Sequence, residues 1–355
     1  FSMGHSVEVA SLDDPADRTL DDYPLPLHRL GPGISAWNYS PGLLPWIRRN
    51  HARYDSVIVD GIWQYYCYAT WKALKGTDTP YFVFPHGMLD PWFKETYQLK
   101  HLKKLLFWHW CEFRLLRDAR AVLFTCEEEK ILARKSFSRY SAHELVVPFG
   151  TASPELNPTD YRLIFLEHHP ELKGKMILLF MSRLHEKKGC DQLIQAFSQI
   201  AGQYPELVLC IAGAGESGYT SYLHRLSSDC EFRDRIIWLG MLQGDRKWQA
   251  LSAANIFCLP SHQENFGIVV AEALSCETPV LTTNKVNIYR EIIAAGCGVV
   301  TNDTSDDIYR GLSDLLCMSP SQLREMSIRG RQLFETTFTV QAMANGLISA
   351  IQGSH

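Results

Sequence analysis

Two hydrophobic patterns alternate along this chain. Short runs of continuous apolar residues recur at 6–12, 56–61, 81–85, 121–125 and 145–148 in the first half. They recur again at 176–181, 207–212, 236–240, 256–260, 279–283 and 298–301 in the second. Between them lie turns rich in Gly or Pro, then stretches with apolar residues at helical spacing. Continuous apolar runs, as opposed to alternating ones, are the pattern of strands buried on both faces. Strands separated by helices predict right-handed crossovers and parallel sheets. The stretch FGTASPELNPTD (149–160) breaks the pattern with two prolines, a glycine and small polar residues, which is linker chemistry. The expected architecture is α/β, with two doubly wound, Rossmann-like domains at 1–152 and 153–335 facing across a cleft. A last helix within 336–355 is expected to pack back on the first domain.

A length of 355 residues suits two such cores. Apolar content of 46% and charged content of 21% are those of an ordinary globular protein. The net charge of −4 argues against a general nucleic-acid binder. No run approaches the ~18 apolar residues of a membrane span. The opening FSMGHSVEV reads as the end of a helix, a glycine cap and a strand, so residues are expected to precede Phe1 and a targeting segment stays open. Ten cysteines occur without any C-x-x-C pair, as expected for reduced thiols in a cytosolic protein.

In doubly wound sheets ligands bind beyond the carboxyl ends of the strands, so the polar residues there come first. After the run at 176–181 comes SRLHEKKG, in which Arg183 and Lys188 are either a diphosphate clamp or a solvated charged turn. After 207–212 comes GAGESG, which fits G-x-G-x-x-G. The acid a dinucleotide site needs at the end of the next strand is missing there, so NAD or FAD is not expected. Gly213 could still let a ligand approach the backbone. After 256–260 comes SHQENFG and then a helix, GIVVAEALSC, whose first turn near Gly267 would offer free N–H groups to an anion. Glu264 is either an acceptor for sugar hydroxyls or an N-terminal capping acid. Glu272 is either part of the same site or an exposed helix residue.

In the first half, His86 and Gly87 follow a strand end, where a histidine can bond substrate or carry a proton. DGIWQYY (60–66) holds a similar place and could line the acceptor side. The segment 100–120 is expected to be one helix. Its core stripe would be Leu102, Leu106, His109, Phe113 and Leu116, and its second stripe Lys103, Phe107, Trp110, Arg114 and Arg117. Residues 94–120 carry seven Lys or Arg against three Asp or Glu, a balance of +4. The second stripe is therefore either a solvated basic face or a contact with anionic membrane. No D-x-D occurs, and no His/Cys cluster has metal-ligand spacing.

Together these motifs resemble a family. Glu264-Asn265-Phe266-Gly267 with Glu272 is an E-x7-E motif; SRLHEKKG, GAG, WLGML and PVLTT fall in the expected order around it. The chain resembles retaining glycosyltransferases of the GT-B fold, family-4-like. The likeness runs through the second half, and FPHGMLDPW and DGIWQYY carry it more weakly in the first. The resemblance implies that Arg183 and Lys188 neutralise the diphosphate of a nucleotide sugar, aided by backbone N–H groups from Phe266 to Ile268. It implies that Glu264 holds donor-sugar hydroxyls, Glu272 the ribose, the backbone near Met241 and Leu242 the base, and His86 the donor sugar. No metal or other cofactor is implied. The expected reaction is hexose transfer, with glucose from UDP-glucose the first choice, to a lipid-linked or saccharide acceptor in envelope or exopolysaccharide synthesis. The expected location is cytoplasmic, with possible peripheral contact at the membrane. An epimerase on the same scaffold and a non-catalytic nucleotide-sugar-binding protein are the alternatives. The family's usual first strand and Gly-rich loop are expected to be missing, since the sequence starts where the second strand should.

Overall fold

The computed structural model describes residues 3–92 and 104–353. The chain forms two compact units. The first comprises residues 1–125, 129–147 and 349–355, and the second comprises 126–128 and 148–348.

In the first unit, β1 (Val9–Ser11) and β2 (Leu27–Arg29) form a small parallel sheet of their own. The expectation that 6–12 joins the main sheet is therefore corrected. The segment alternates with polar residues where a central strand would be continuously apolar. Its Glu8 accepts hydrogen bonds from His28 (2.7 Å) and Tyr54 (2.5 Å), which ties it to surface partners. The main sheet is β3 (Val57–Asp60), β4 (Tyr81–Phe84), β5 (Ala121–Phe124) and β6 (Glu144–Val146), paired in that order and all parallel. Both central strands, β4 and β5, are buried at every position, as their unbroken apolar runs require.

The helix expected over 100–120 is described from residue 104 on; Leu102 and Lys103 lie outside the described residues. Residues Trp108–Glu112 form a π-helical turn before the α-helix Phe113–Asp118. The wider turn holds an extra residue and rotates what precedes it, so the 3.6-residue reading fails there. Leu106, expected in the core, is 74% exposed, and His109 is exposed as well. Leu116 is buried as expected and Phe113 packs against the core, while Trp108, Cys111, Glu112 and Leu115 take the other core positions.

The second unit holds a six-stranded parallel sheet: β7 (Met176–Met181), β8 (Leu207–Ala212), β9 (Ile236–Gly240), β10 (Ile256–Leu259), β11 (Val280–Thr283) and β12 (Gly298–Thr301). Their spatial order is β12-β11-β10-β7-β8-β9. The chain works outward from β7 in one direction, then returns to β10 and works outward in the other. That is the doubly wound order, and its crevice opens where the winding reverses, beyond the ends of β7 and β10. All ten cysteines are free and nine are buried.

Candidate functional site

The loops leaving β7 and β10 are keyed together. After β7 the chain passes Arg183, makes a short 3-10 turn at Glu186–Lys188, and enters the helix Cys190–Ile200. Gly189, between turn and helix, has φ +65°, and a Cβ there would lie 2.1 Å from the carbonyl oxygen of Pro260 in the other loop. Only glycine meets both conditions. Beside it, the His262 N–H donates to the Lys187 carbonyl at 2.8 Å. The loop after β8 packs on the same turn. A Cβ at Gly213 would lie 1.9 Å from the Ser182 carbonyl oxygen. The close neighbour at Gly213 is thus the chain's own backbone.

This keying places Lys188 against Glu264. Lys188 is buried, and its ammonium donates to Glu264 Oε2 in an ion pair. The backbone of Glu264 is pinned on both sides, its N–H donating to the Lys285 carbonyl (2.9 Å) and its carbonyl accepting from the Asn287 N–H (3.1 Å). Glu264 is not the capping acid of the following helix, Ile268–Ser275. That helix begins at Gly267 (φ +80°) with no side-chain cap, which leaves its first N–H groups to other partners. Phe266 is buried against the rings of Phe149 (5.7 Å) and Phe338 (5.3 Å), and this fixes the approach to the helix. Asn265 offers its carbonyl to Cys126 Sγ at 3.8 Å. Ile268, in the first turn, is 43% exposed.

Glu272, eight residues beyond Glu264, is 7% exposed, so the exposed-helix-residue reading is set aside. Its Oε1 accepts from Lys247 Nζ at 2.6 Å and from Thr151 Oγ1 at 3.3 Å. Lys247 comes from the helix Asp245–Ala253, which follows β9. A carboxylate buried without a partner would be strongly destabilising; here each acid of the E-x7-E pair has its own lysine. Arg183 differs. It is exposed and forms no ion pair among the described residues. Met241, just past β9, is 60% exposed, and Leu242 is half-buried. Among the described residues no group of three or more His, Cys, Asp or Glu is arranged to hold a metal ion.

In the first unit, β3 ends at Asp60 and β4 leads to His86. His86 Nε2 hydrogen-bonds Asp60 Oδ1, and the His86 ring stacks on Phe84 at 5.3 Å. This bond holds the Asp60 carboxyl below its usual range. His86 has φ +46°, unusual for a residue with a side chain. The next residue, Gly87, donates its N–H to Glu129 Oε1 at 2.5 Å, while Glu129 Oε2 accepts from Thr125 N (2.7 Å) and Thr125 Oγ1 (2.6 Å). The sequence reading missed Asp60 as the partner of His86, and missed Glu129, Lys247 and Thr151. Glu129 sits in the run CEEEK, which looks like a solvated acidic face. Lys247 looks like any charged residue at a helix start.

The second half, residues 164–333, matches the family model of glycosyl transferases group 1, and residues 2–150 match that of a glycosyl transferase 4-like domain. A GDP-mannose-dependent alpha-(1-6)-phosphatidylinositol monomannoside mannosyltransferase of Mycolicibacterium smegmatis is 24% identical over 226 residues, 61% of this chain and 58% of that protein. A D-inositol 3-phosphate glycosyltransferase of Gordonia bronchialis is 26% identical over 190 residues, 51% of this chain and 42% of that protein. The matched stretches thus span about half the length of these curated relatives. Among solved structures, Anabaena HepE in complex with UDP superposes with a TM-score of 0.77 at 17% identity, covering 97% of this chain and 92% of that one. Sucrose-phosphate synthase from Thermosynechococcus elongatus gives 0.74 at 18% identity, covering 99% and 90%. At these identities the likeness to solved structures is one of fold.

Proposed function

Because the chain belongs to the glycosyltransferases of the GT-B fold, with a 4-like first half and a group 1 second half, we propose that it moves a hexose from a nucleotide diphosphate sugar to a lipid-linked or saccharide acceptor. The reaction would proceed with retention and without a metal. The observation that carries this reading is the pair of glutamates after β10, each held by a lysine, with Arg183 exposed and without an ion pair among the described residues on the loop that carries Lys188. Lys188 neutralises Glu264. An arriving diphosphate competes for that ammonium, with Arg183 forking two of its oxygens, and Glu264 then turns to the sugar hydroxyls. Glu272 takes the ribose. In the transfer step the bond from the anomeric carbon to the phosphate oxygen breaks. A bond to the acceptor oxygen forms on the same face, and the acceptor's proton passes to the leaving phosphate. Cations and helix N–H groups lower the energy of the charge that develops on that phosphate. His86, oriented by Asp60, would contact the donor sugar.

UDP-glucose is the first choice of donor, supported by the UDP and UDP-glucose complexes of HepE, a neighbour of the same fold. The mycobacterial relative is GDP-mannose-dependent, so the base is the point to test. Calorimetry against UDP, GDP and ADP should show one of them binding well. Arg183→Ala should then weaken that affinity by ~1–3 kcal/mol, the scale of a charged hydrogen bond. No binding by any of the three would overturn the reading.

No helix among the described residues is long and apolar enough to cross a membrane. Peripheral contact is supported by one patch of the first unit, where Leu106 (74%), Phe107 (37%) and Trp110 (46%) are exposed. Arg114 lies beside them, donating to the Trp110 carbonyl at 3.0 Å, whereas Arg117 is already paired with Asp118 at 2.7 Å. Lys103 lies outside the described residues. Co-sedimentation with anionic vesicles should fall on Trp110→Ser together with Arg114→Glu; unchanged binding would leave the patch a solvated face.

A further inference from the structure

The two lysine–glutamate pairs differ in what they leave open. Glu272 gives only one oxygen to the protein: Oε1 takes both Lys247 Nζ and Thr151 Oγ1, while Oε2 accepts no hydrogen bond from the described residues. The two donors come from separate segments of the second unit, so Oε1 is held from two directions and the other oxygen is left aimed away from them. Lys247 is itself held. Its ammonium lies 4.2 Å from the centroid of the Trp248 ring, and its side chain is 27% exposed against 9% for that of Glu272. A carboxylate locked by one oxygen and open at the other is a directional acceptor. Left free to rotate, it would accept a hydroxyl in several poses and discriminate little between them.

We infer that Lys247 is a positioning residue that sets selectivity for a ribose over a 2′-deoxyribose in the nucleotide half of the donor. This rests on the assignment of Glu272 to the ribose. A site that aims a buried acceptor at a hydroxyl rejects the analogue lacking it, because the acceptor is then left unpaired. Lys247 does not touch the sugar in this scheme. It acts through Glu272, by aiming Oε2.

The test compares the affinity of the nucleoside diphosphate that the protein binds among UDP, GDP and ADP with that of its 2′-deoxy form. The proteins are wild type, Lys247→Met, Lys247→Arg and the double variant Lys247→Met with Glu272→Gln. Wild type should prefer the ribonucleotide by roughly 10- to 100-fold, the range for a hydrogen bond to a charged group. In Lys247→Met the preference should collapse to within about threefold, and Lys247→Arg should restore most of it. Inorganic pyrophosphate, measured by competition, should bind wild type and Lys247→Met alike. The double variant buries no unpaired charge, so it serves if Lys247→Met does not fold, and it should also lack the preference. An intact ribose preference in folded Lys247→Met, or in the double variant where Lys247→Met does not fold, overturns the inference. So does a matching loss of pyrophosphate affinity, which would make Lys247 a phosphate ligand. A wild type that binds the nucleotide without ribose preference overturns the Glu272 assignment beneath it, and a wild type that binds no nucleotide overturns the function proposed above.

Discussion

Both units hold ion-paired or hydrogen-bonded glutamates in the segments that follow their strands, and they use them in opposite ways. In the second unit Glu264 and Glu272 face lysine side chains, so the first pair can open to a charged ligand while the second keeps one oxygen on its lysine and offers the other. In the first unit Glu129, 3% exposed, faces Gly87 N–H, Thr125 N–H and the Thr125 hydroxyl. Backbone amides cannot swing away to meet a ligand. Glu129 therefore acts as a clamp on the loop that presents His86 in its positive-φ conformation, the kind of strain that persists only when its surroundings over-determine it. The partner, more than the carboxylate, decides whether such a residue serves binding or shape.

That contrast can be broken experimentally. Glu264→Ala should show the largest effect, a fall in transfer of about 10³-fold, the scale of losing a group that acts on the transition state. Its urea unfolding should stay near wild type, and turnover at the normal rate would remove Glu264 from the site. Glu129→Ala should do the reverse. Loss of the three hydrogen bonds it accepts should lower stability by about 2–3 kcal/mol, read as a lower urea midpoint, with nucleotide affinity in the second unit unchanged. A stable Glu129→Ala protein would show that the clamp is not needed.

The smallest effect sharpens the comparison by adding a third buried acid. Glu112 accepts from Trp63 N–H at 3.2 Å, its other oxygen has no hydrogen-bond partner among the described residues, and burial pushes its carboxyl up to about 8 from an ordinary 4.5. Between those two values the folded chain keeps a proton that the unfolded chain has released, so stability falls as pH rises through that window. Urea midpoints from pH 5 to pH 8 should slope downward for wild type, and Glu112→Gln should flatten the slope. A slope unaffected by the substitution would mean that Glu112 is ionised in the folded protein.

How much of this was legible beforehand follows from range of interaction. The strands of the second unit were readable because MILLFM, LVLCIA and IFCLP are unbroken apolar runs, and burial on both faces is a local signature. The loops after β7 and β10 stand out because ligands of doubly wound sheets bind beyond the carboxyl ends of the strands, and the structure brings Lys188 and Glu264 of those loops into contact. The Lys247–Glu272 contact was invisible, since it joins two helices 25 residues apart through packing alone. The stripe assignment on 100–120 failed at one π turn, which no spacing announces and which rotates every earlier residue. Glu129 was hidden by its neighbours, because Glu127 and Glu128 make its position look like part of a wet acidic run.

The contact at Gly189 has a consequence for how this gene can drift. Any replacement of this glycine puts a carbon 2.1 Å from the Pro260 carbonyl oxygen, well inside contact distance. Relief requires one loop to retreat, and each loop carries one member of the Lys188–Glu264 pair. A residue that touches no ligand thus shares the fate of two that are proposed to. In a random-mutagenesis library screened for transfer, position 189 should be as intolerant as the charged residues themselves, and second-site suppressors should gather around Pro260 instead of in the site.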